Sequence, residues 1–298
     1  MIRKNFLTGE YVIFSLDRVK RPQNIKKDIL TTPIKFCPFC TENKHMISEP
    51  IYRSFNDEIR LIYNKYPIIS DINENYGVHY VLIDTKSHEK SIINYTDEHM
   101  FYLMKSIKDI LNILYKDKNL KYVQIFKNQG RNAGASQSHS HWQILGLSIL
   151  PNKQKYMIDV LNKYEKENKK CYFCSNNFDE NIVYENNEFL AFCPEDCLYC
   201  YEINIIPKKH ITSIRYLDDT MLEQLGIILK KCLIKLNLIY INLDYNICVY
   251  NGFKEEDEYH FFIQIIPRIG NLAGFEFSTG MFVNSVLPKE AAKSLREI

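Results

Sequence analysis

The chain has 298 residues, long enough to bury a full core as one large domain or as two of about 150 residues. Its 46% hydrophobic and 25% charged residues exclude a disordered polymer, and 38 basic against 36 acidic side chains leave a net charge of +2, which excludes the global field of a nucleic-acid or membrane-surface binder. The start, Met1-Ile2-Arg3-Lys4-Asn5, leads into no apolar signal segment and no apolar run reaches spanning length, so the expectation is a cytoplasmic protein; nine cysteines, an odd number, then read as metal ligands or buried thiols.

The basic segment Arg18-Val19-Lys20-Arg21-Pro22 comes first and, taken alone, reads as a solvated face. The first C-x-x-C follows, Cys37-Pro38-Phe39-Cys40. An apolar stretch, Val81-Leu82-Ile83, then runs through a polar turn into His88. Thr96 can cap a helix over residues 97–116, whose Met100, Leu103, Met104, Ile107, Leu111 and Leu114 recur at spacings of three and four. A strand leads to Asn128-Gln129-Gly130, and a second closes the unit with His139-Ser140-His141-Trp142-Gln143-Ile144. After a lysine-rich join over 151–170 the order repeats. Cys171-Tyr172-Phe173-Cys174 is followed by a strand into His210, an amphipathic helix bearing Leu222, Leu225, Leu229, Cys232, Leu233 and Leu236, then Asn251-Gly252 and His260-Phe261-Phe262-Ile263-Gln264.

His88 and His210 are 122 residues apart, and His139 and His260 are 121 apart, an agreement that argues duplication. The expected fold is therefore α+β: two units, 1–150 and 151–298, each a mainly antiparallel sheet packed on a long helix. A single α/β sheet is discounted because no Rossmann phosphate fingerprint is present. Each unit supplies two thiols and two imidazoles, Cys37, Cys40, His88 and His139 in the first and Cys171, Cys174, His210 and His260 in the second. Four N/S ligands suit a closed tetrahedral zinc site, so the expectation is two structural zinc ions per chain. Cys193, Cys197, Cys200, Cys232 and Cys248 have no counterparts in the first unit and read as core or surface thiols; His45, His79 and His99 read as surface or supporting histidines.

Small residues precede His139 and His141, and a spacing of two in a strand places both imidazoles on one face. Glycines there let a phosphate approach the backbone and its N–H groups. A neutral imidazole is available near pH 7, and the phosphoramidate it forms is reactive enough to pass its group on. The segment Asn128 to Gln143 resembles the active-site signature of the galactose-1-phosphate uridylyltransferase family, a branch of the histidine-triad superfamily. That resemblance implies a tandem pair of histidine-triad-like units, with His141 as covalent nucleophile, His139 as zinc ligand, and Gln143 as hydrogen-bond donor to the transferring phosphoryl group. It makes Arg18 and Arg21 candidates to hold nucleotide phosphates, with Asn128, Gly134 and Ser136. Asn64-Lys65-Tyr66-Pro67 resembles the family's turn near base and ribose, and Glu276, in Ala273-Gly274-Phe275-Glu276, becomes a candidate for sugar hydroxyls.

Phe262 stands where the first unit has His141, so one active site per chain is expected. The run after Glu276 lacks the glutamine of the galactose-binding transferases and looks more like the ADP-glucose phosphorylase branch. The implied partners are a nucleotide sugar and a sugar 1-phosphate or phosphate, with no nucleic acid and no membrane; family members are often dimers, so a homodimer is an open expectation. The implied reaction is ping-pong transfer from UDP-glucose to a hexose 1-phosphate, with adenylyl transfer from an ADP-sugar or dinucleoside polyphosphate to phosphate as the alternative. A non-catalytic zinc protein that binds nucleotides is the competing class. Against it stand the near-zero charge, the wide ligand spacing, His141 and Gln143.

Overall fold

The computed structural model describes residues 1–20, 31–70, 76–252 and 259–298. Its elements in chain order are β1 (Ile2–Lys4), β2 (Tyr11–Phe14), β3 (Tyr52–Ser54), β4 (Ile59–Tyr63), β5 (Gly77–Ile83), α1 (Asp97–Leu114), β6 (Tyr122–Gln129) and β7 (His141–Leu147). They continue with α2 (Asn152–Asn168), α3 (Tyr172–Ser175), β8 (Ile182–Glu185), β9 (Phe189–Phe192), β10 (Ile203–Pro207), α4 (Asp219–Ile239), β11 (Tyr245–Tyr250), β12 (Phe262–Pro267), α5 (Gly274–Thr279), β13 (Phe282–Asn284) and α6 (Pro288–Arg296).

Ten of the strands form one antiparallel sheet in the order β3-β4-β5-β7-β6-β11-β12-β10-β9-β8. Read inward from each edge, the two halves have the same order, as duplication requires. They join where β6 pairs with β11, Asn128 opposite Asn246, so the halves share a sheet rather than each closing its own. A smaller sheet, β1-β2-β13, packs Val12 and Phe14 against Cys197 and Leu198 of the second half.

Both long helices lie on one face of the large sheet. The α1 helix starts where the Thr96 hydroxyl accepts the His99 N–H, with Asp97 and Glu98 in its first turn, and α4 starts where Asp218 accepts the Met221 N–H. Their apolar stripes meet each other and the sheet in one core that spans both halves, from Met100 and Leu103 to Leu225 and Leu229. The helices approach closely at Gly226, where an added Cβ would lie 2.9 Å from Cβ of Met100. The opposite face of the sheet carries the two C-x-x-C knuckles. Phe39 and Cys40 pack on Ile62, Val81 and Ile83 in the first half, and Phe173 packs with Phe192, Ile206 and Phe262 in the second. Covered on both faces, β5 is apolar almost throughout its length, which explains why its sequence does not alternate. Among the described residues no helix is long and apolar enough to cross a membrane.

Candidate active site and metal centres

The ends of β5 and β7 and the knuckle before them bring Cys37, Cys40, His88 and His139 together, with all four ligand atoms within 4.8 Å of one another; Cys171, Cys174, His210 and His260 do the same in the second half. In the first cluster Nδ1 of His88 lies 3.2 Å from Cys40 Sγ, and Nδ1 of His139 lies 3.6 Å from both sulfurs. In the second, Nδ1 of His260 lies 3.5 and 3.6 Å from Cys171 and Cys174, and Nδ1 of His210 lies 3.6 Å from Cys174. Tetrahedral zinc with ordinary Zn–S and Zn–N bonds sets its sulfur and nitrogen ligands about 3.5 Å apart. The outer ring nitrogens are committed elsewhere. Nε2 of His139 donates to the Thr85 carbonyl at 2.8 Å and Nε2 of His260 to the Pro207 carbonyl at 3.1 Å, which leaves each Nδ1 unprotonated and ready to ligate. Burial and the neighbouring Cys37 push the Cys40 thiol up to about 12, so a bound cation is what would hold that pair as thiolates. Both clusters can hold metal ions and are compatible with zinc.

His139 lies just ahead of the strand, which begins at His141, and both imidazoles lie against Phe39, with ring centroids 6.0 and 5.2 Å away. They are also linked directly. Nδ1–H of His141 donates to the carbonyl of His139 at 2.8 Å, a bond that puts the lone pair of the ring on Nε2. His141 is buried against Phe39, with ring centroids 5.2 Å apart. Burial first, then the positive charge of Lys127, lowers its pKa to about 4, so the imidazole is neutral at physiological pH.

Beneath His141 lies a buried polar network that no sequence motif marks. Asp84 accepts from Lys127 Nζ at 3.1 Å, from the Trp142 indole at 3.0 Å and from the Tyr95 hydroxyl at 3.1 Å. Lys127 also donates to the Ser140 hydroxyl at 2.6 Å and to the His141 carbonyl at 3.1 Å, pinning the backbone on both sides of the ring. Burial pushes the Asp84 carboxyl up, but the Lys127 ammonium and the hydrogen bonds around it outweigh that and hold it below its usual range.

His79 is also buried, and is no surface histidine. Its Nδ1 accepts the Ile68 N–H at 3.1 Å, so the proton sits on Nε2, which donates to Oε1 of Gln143 at 2.9 Å. With its oxygen occupied, the Gln143 amide is left to donate. Asn64 lies against the same ring at 3.1 Å, which joins the turn ahead of Pro67 to Gln143 through His79. The signal that could have found His79 is register: it lies on β5 opposite Leu145, two residues from the Val81–Gln143 pair, on the face Gln143 shares with His141. His99, also buried, stacks on Tyr95 at 4.0 Å on the helix side of the sheet; His45 is exposed.

Asn128 is the penultimate residue of β6, accepting from Asn246 at 2.8 Å, and the loop to β7 turns at Gly130 and at Gly134, whose φ of 81° only glycine adopts freely. Gly134 and Ser136 are exposed. Arg18 is exposed in a turn after β2, and Glu276 caps its own short helix by accepting the Ala273 N–H at 2.9 Å; no hydrogen bond among the described residues joins either to His141 or Gln143. Arg21 lies outside the described residues. A cavity of about 780 Å³ opens on the helix side of the Gly130 turn, lined by Asn132, Tyr240, Asp244 and Arg268, and neither His141 nor Gln143 faces it. Among the unmatched cysteines Cys193, Cys197 and Cys232 are core thiols, while Cys200 and Cys248 are half-buried.

Residues 15–150 match the N-terminal domain of a family described as a domain of unknown function (DUF4931), and residues 158–274 match a family described as similar to the CwfJ C-terminus. Over its whole length the chain is 30% identical to ADP-glucose phosphorylase of Arabidopsis thaliana, covering 92% of that protein. The crystal structure of that enzyme with bound ADP-glucose superimposes with a TM-score of 0.89 over 100% of this chain and 99% of that one. Galactose-1-phosphate uridylyltransferase of Thermotoga maritima is 28% identical over 99% of this chain and 98% of its own length. With such likeness along the full length of both chains, this protein belongs to the family of galactose-1-phosphate uridylyltransferase and ADP-glucose phosphorylase and is a nucleotidyltransferase.

Proposed function

We propose that the chain moves a nucleotidyl group from a nucleotide sugar to a phosphate-bearing acceptor through a covalent nucleotidyl-His141. The observation that carries this is the state of that ring: buried, neutral, with its proton committed to the His139 carbonyl and Nε2 bearing the lone pair. Nε2 attacks the α-phosphorus, the bond from phosphorus to the sugar 1-phosphate oxygen breaks, and the sugar 1-phosphate leaves with the electron pair. An oxygen of the acceptor then attacks the same phosphorus, and the P–N bond breaks to return the lone pair to Nε2. The Gln143 amide donates to a phosphoryl oxygen as charge gathers there, aimed by His79. Backbone N–H groups around Gly134 and Ser136, Asn128 and the Arg18–Arg21 segment hold the remaining phosphate charge, while Asn64 faces base and ribose.

Residues 1–150 form the catalytic half. Zinc, held by Cys37, Cys40, His88 and His139 and again by Cys171, Cys174, His210 and His260, would be structural at both sites because protein atoms take all four positions. In the first half that anchorage fixes His139, whose carbonyl orients the nucleophile. Glu276 serves sugar hydroxyls in the neighbouring chain of a homodimer.

The leading substrate pair is UDP-glucose with a hexose 1-phosphate. A second reading, ADP-glucose with inorganic phosphate, is favoured by the full-length likeness to the plant phosphorylase. Incubation with α-³²P-labelled UDP-glucose or ADP-glucose, followed by acid-labile, base-stable trapping on the protein, decides between them. Label from neither nucleotide, or equal labelling of His141→Asn, removes the covalent mechanism.

A further inference from the structure

The second half keeps the geometry of the catalytic pocket after losing its nucleophile. On β12 and β10, Gln264 pairs with Asn204 as Gln143 pairs with Val81 on β7 and β5. Two residues back along β12 stands Phe262 in place of His141, and two back along the chain from Asn204 stands Glu202 in place of His79. The hydrogen bond recurs with its direction reversed: Nε2 of Gln264 donates to Glu202 at 2.7 Å, whereas in the first half His79 donates to Gln143. Over these residues lies a cavity of about 230 Å³, the size of one ring system and too small for a whole nucleotide sugar.

Aromatic rings form much of its wall. Phe6 stacks on Tyr172 at 4.0 Å, Phe178 on Phe192 at 4.0 Å and Tyr250 on Phe262 at 4.4 Å, and all six line the cavity. Its polar floor offers acceptors. Oδ1 of Asn204, 3% exposed, has no hydrogen-bond partner among the described residues, although a buried amide oxygen left bare costs about 1–3 kcal/mol. Beside it Glu202 is a buried acid whose carboxyl burial pushes up to about 7; it accepts from Gln264 and from the Leu198 and Tyr199 N–H groups, and no side-chain cation among the described residues is bonded to it. Among the described lining residues Lys153 is the one cation, and it is exposed at the mouth. Such a pocket does not hold phosphates.

We propose that this second-half pocket is a binding site for a planar nitrogen heterocycle carrying an exocyclic amine, an aminopurine or aminopyrimidine base without its phosphates, whose N–H groups satisfy Asn204 and Glu202 and whose ring lies between the stacked aromatic pairs. This does not depend on covalent chemistry at His141. The test is equilibrium dialysis of labelled adenine against the zinc-loaded full chain, with unsubstituted purine as competitor. The expected result is one saturable adenine per chain, purine weaker by tenfold or more, and a loss of at least tenfold in affinity in Asn204→Val, with nucleotidyl transfer unchanged. Valine is the residue the first half carries at this register, so the strand accommodates it. Phe262→Trp, which fills the cavity from another side, gives the same loss, and metal content reports that each variant is folded. No saturable binding, binding that Asn204→Val leaves unaltered, or equal binding of purine overturns the proposal.

Discussion

Replacing Lys127 with methionine keeps a long apolar stem in a fully buried position but removes an ammonium that donates to Asp84, Ser140 and the His141 carbonyl. The Asp84 carboxylate is then left in the core with Trp142 and Tyr95 as donors and no cation. Breaking a buried pair from one side costs about 3–5 kcal/mol. At roughly 2–4 °C per kcal/mol for a chain of this size, the melting temperature should fall by about 6–20 °C. Asp84→Asn alone leaves the ammonium stranded and costs a similar amount. The double variant removes both charges, so its loss should fall short of the sum by about 2–3 kcal/mol. The assay is thermal and urea unfolding of all four proteins at one fixed zinc concentration, since bound metal itself adds stability. Acid titration gives a second reading of the same pair. Asp84 is held below its ordinary range, so the stability it contributes is present at neutral pH and disappears as pH falls through the unfolded carboxylate range toward the folded value. Losses additive to within about 0.5 kcal/mol would refute the idea that the pair acts as one unit.

With His141 neutral down to about 4, the rate of protein labelling by nucleotide sugar should be flat from pH 5 to 7 as far as this ring is concerned, and should fall only as pH drops through about 4; an acid limb near 6.5 in stopped-flow labelling would contradict the buried, depressed imidazole. His79→Phe removes the donor that occupies the Gln143 oxygen and should lower kcat about 10–100-fold with little change in KM, read by steady-state kinetics; an unchanged kcat would show that Gln143 needs no such orientation. Cys37→Ser and Cys174→Ser should each lose one metal equivalent by plasma emission spectrometry, but only the first should also lower labelling about tenfold or more, because only the first cluster contains His139. Gly130→Ala asks alanine to hold a φ of 85° and puts a Cβ 1.7 Å from Oδ1 of Asp244, so a loss of more than about 2 kcal/mol in urea unfolding is expected; a neutral result would mean the turn repacks freely.

The parts of the molecule legible in the sequence are those with a period or a chemistry of their own. Helix α1 was visible from its stripe and Thr96, and ended two residues short of the expected Lys116, at Leu114, where the chain turns toward Asp117. Both metal clusters were visible because thiol pairs and spaced histidines recurred at matched intervals. The joining of the halves into one sheet was not visible, since an edge such as β6 presents the same residues whether its neighbour is solvent or β11. Asp84 and Lys127 were missed, and His79 was left between a surface and a supporting role, for a related reason. Each lies far in sequence from the residue it serves, and a charged side chain within an apolar strand shows no partner until the register of the sheet is known.

That same register explains how one half could lose its nucleophile and remain folded. In the first half the ring of His141 faces Phe39 and its backbone rests on Lys127; in the second the ring of Phe262 faces Phe173, 5.5 Å away, and stacks on Tyr250. An aromatic side chain meets the packing demand of the position in either case, while the metal ligands, which tie the knuckle to the sheet, are kept in both. Stability therefore constrains the shape of the residue at this position, and catalysis alone constrains its nitrogen. Among the positions at which the halves differ are the nucleophile, the residue beside the glutamine, and Asn204 opposite it, whose buried Oδ1 has no hydrogen-bond partner among the described residues.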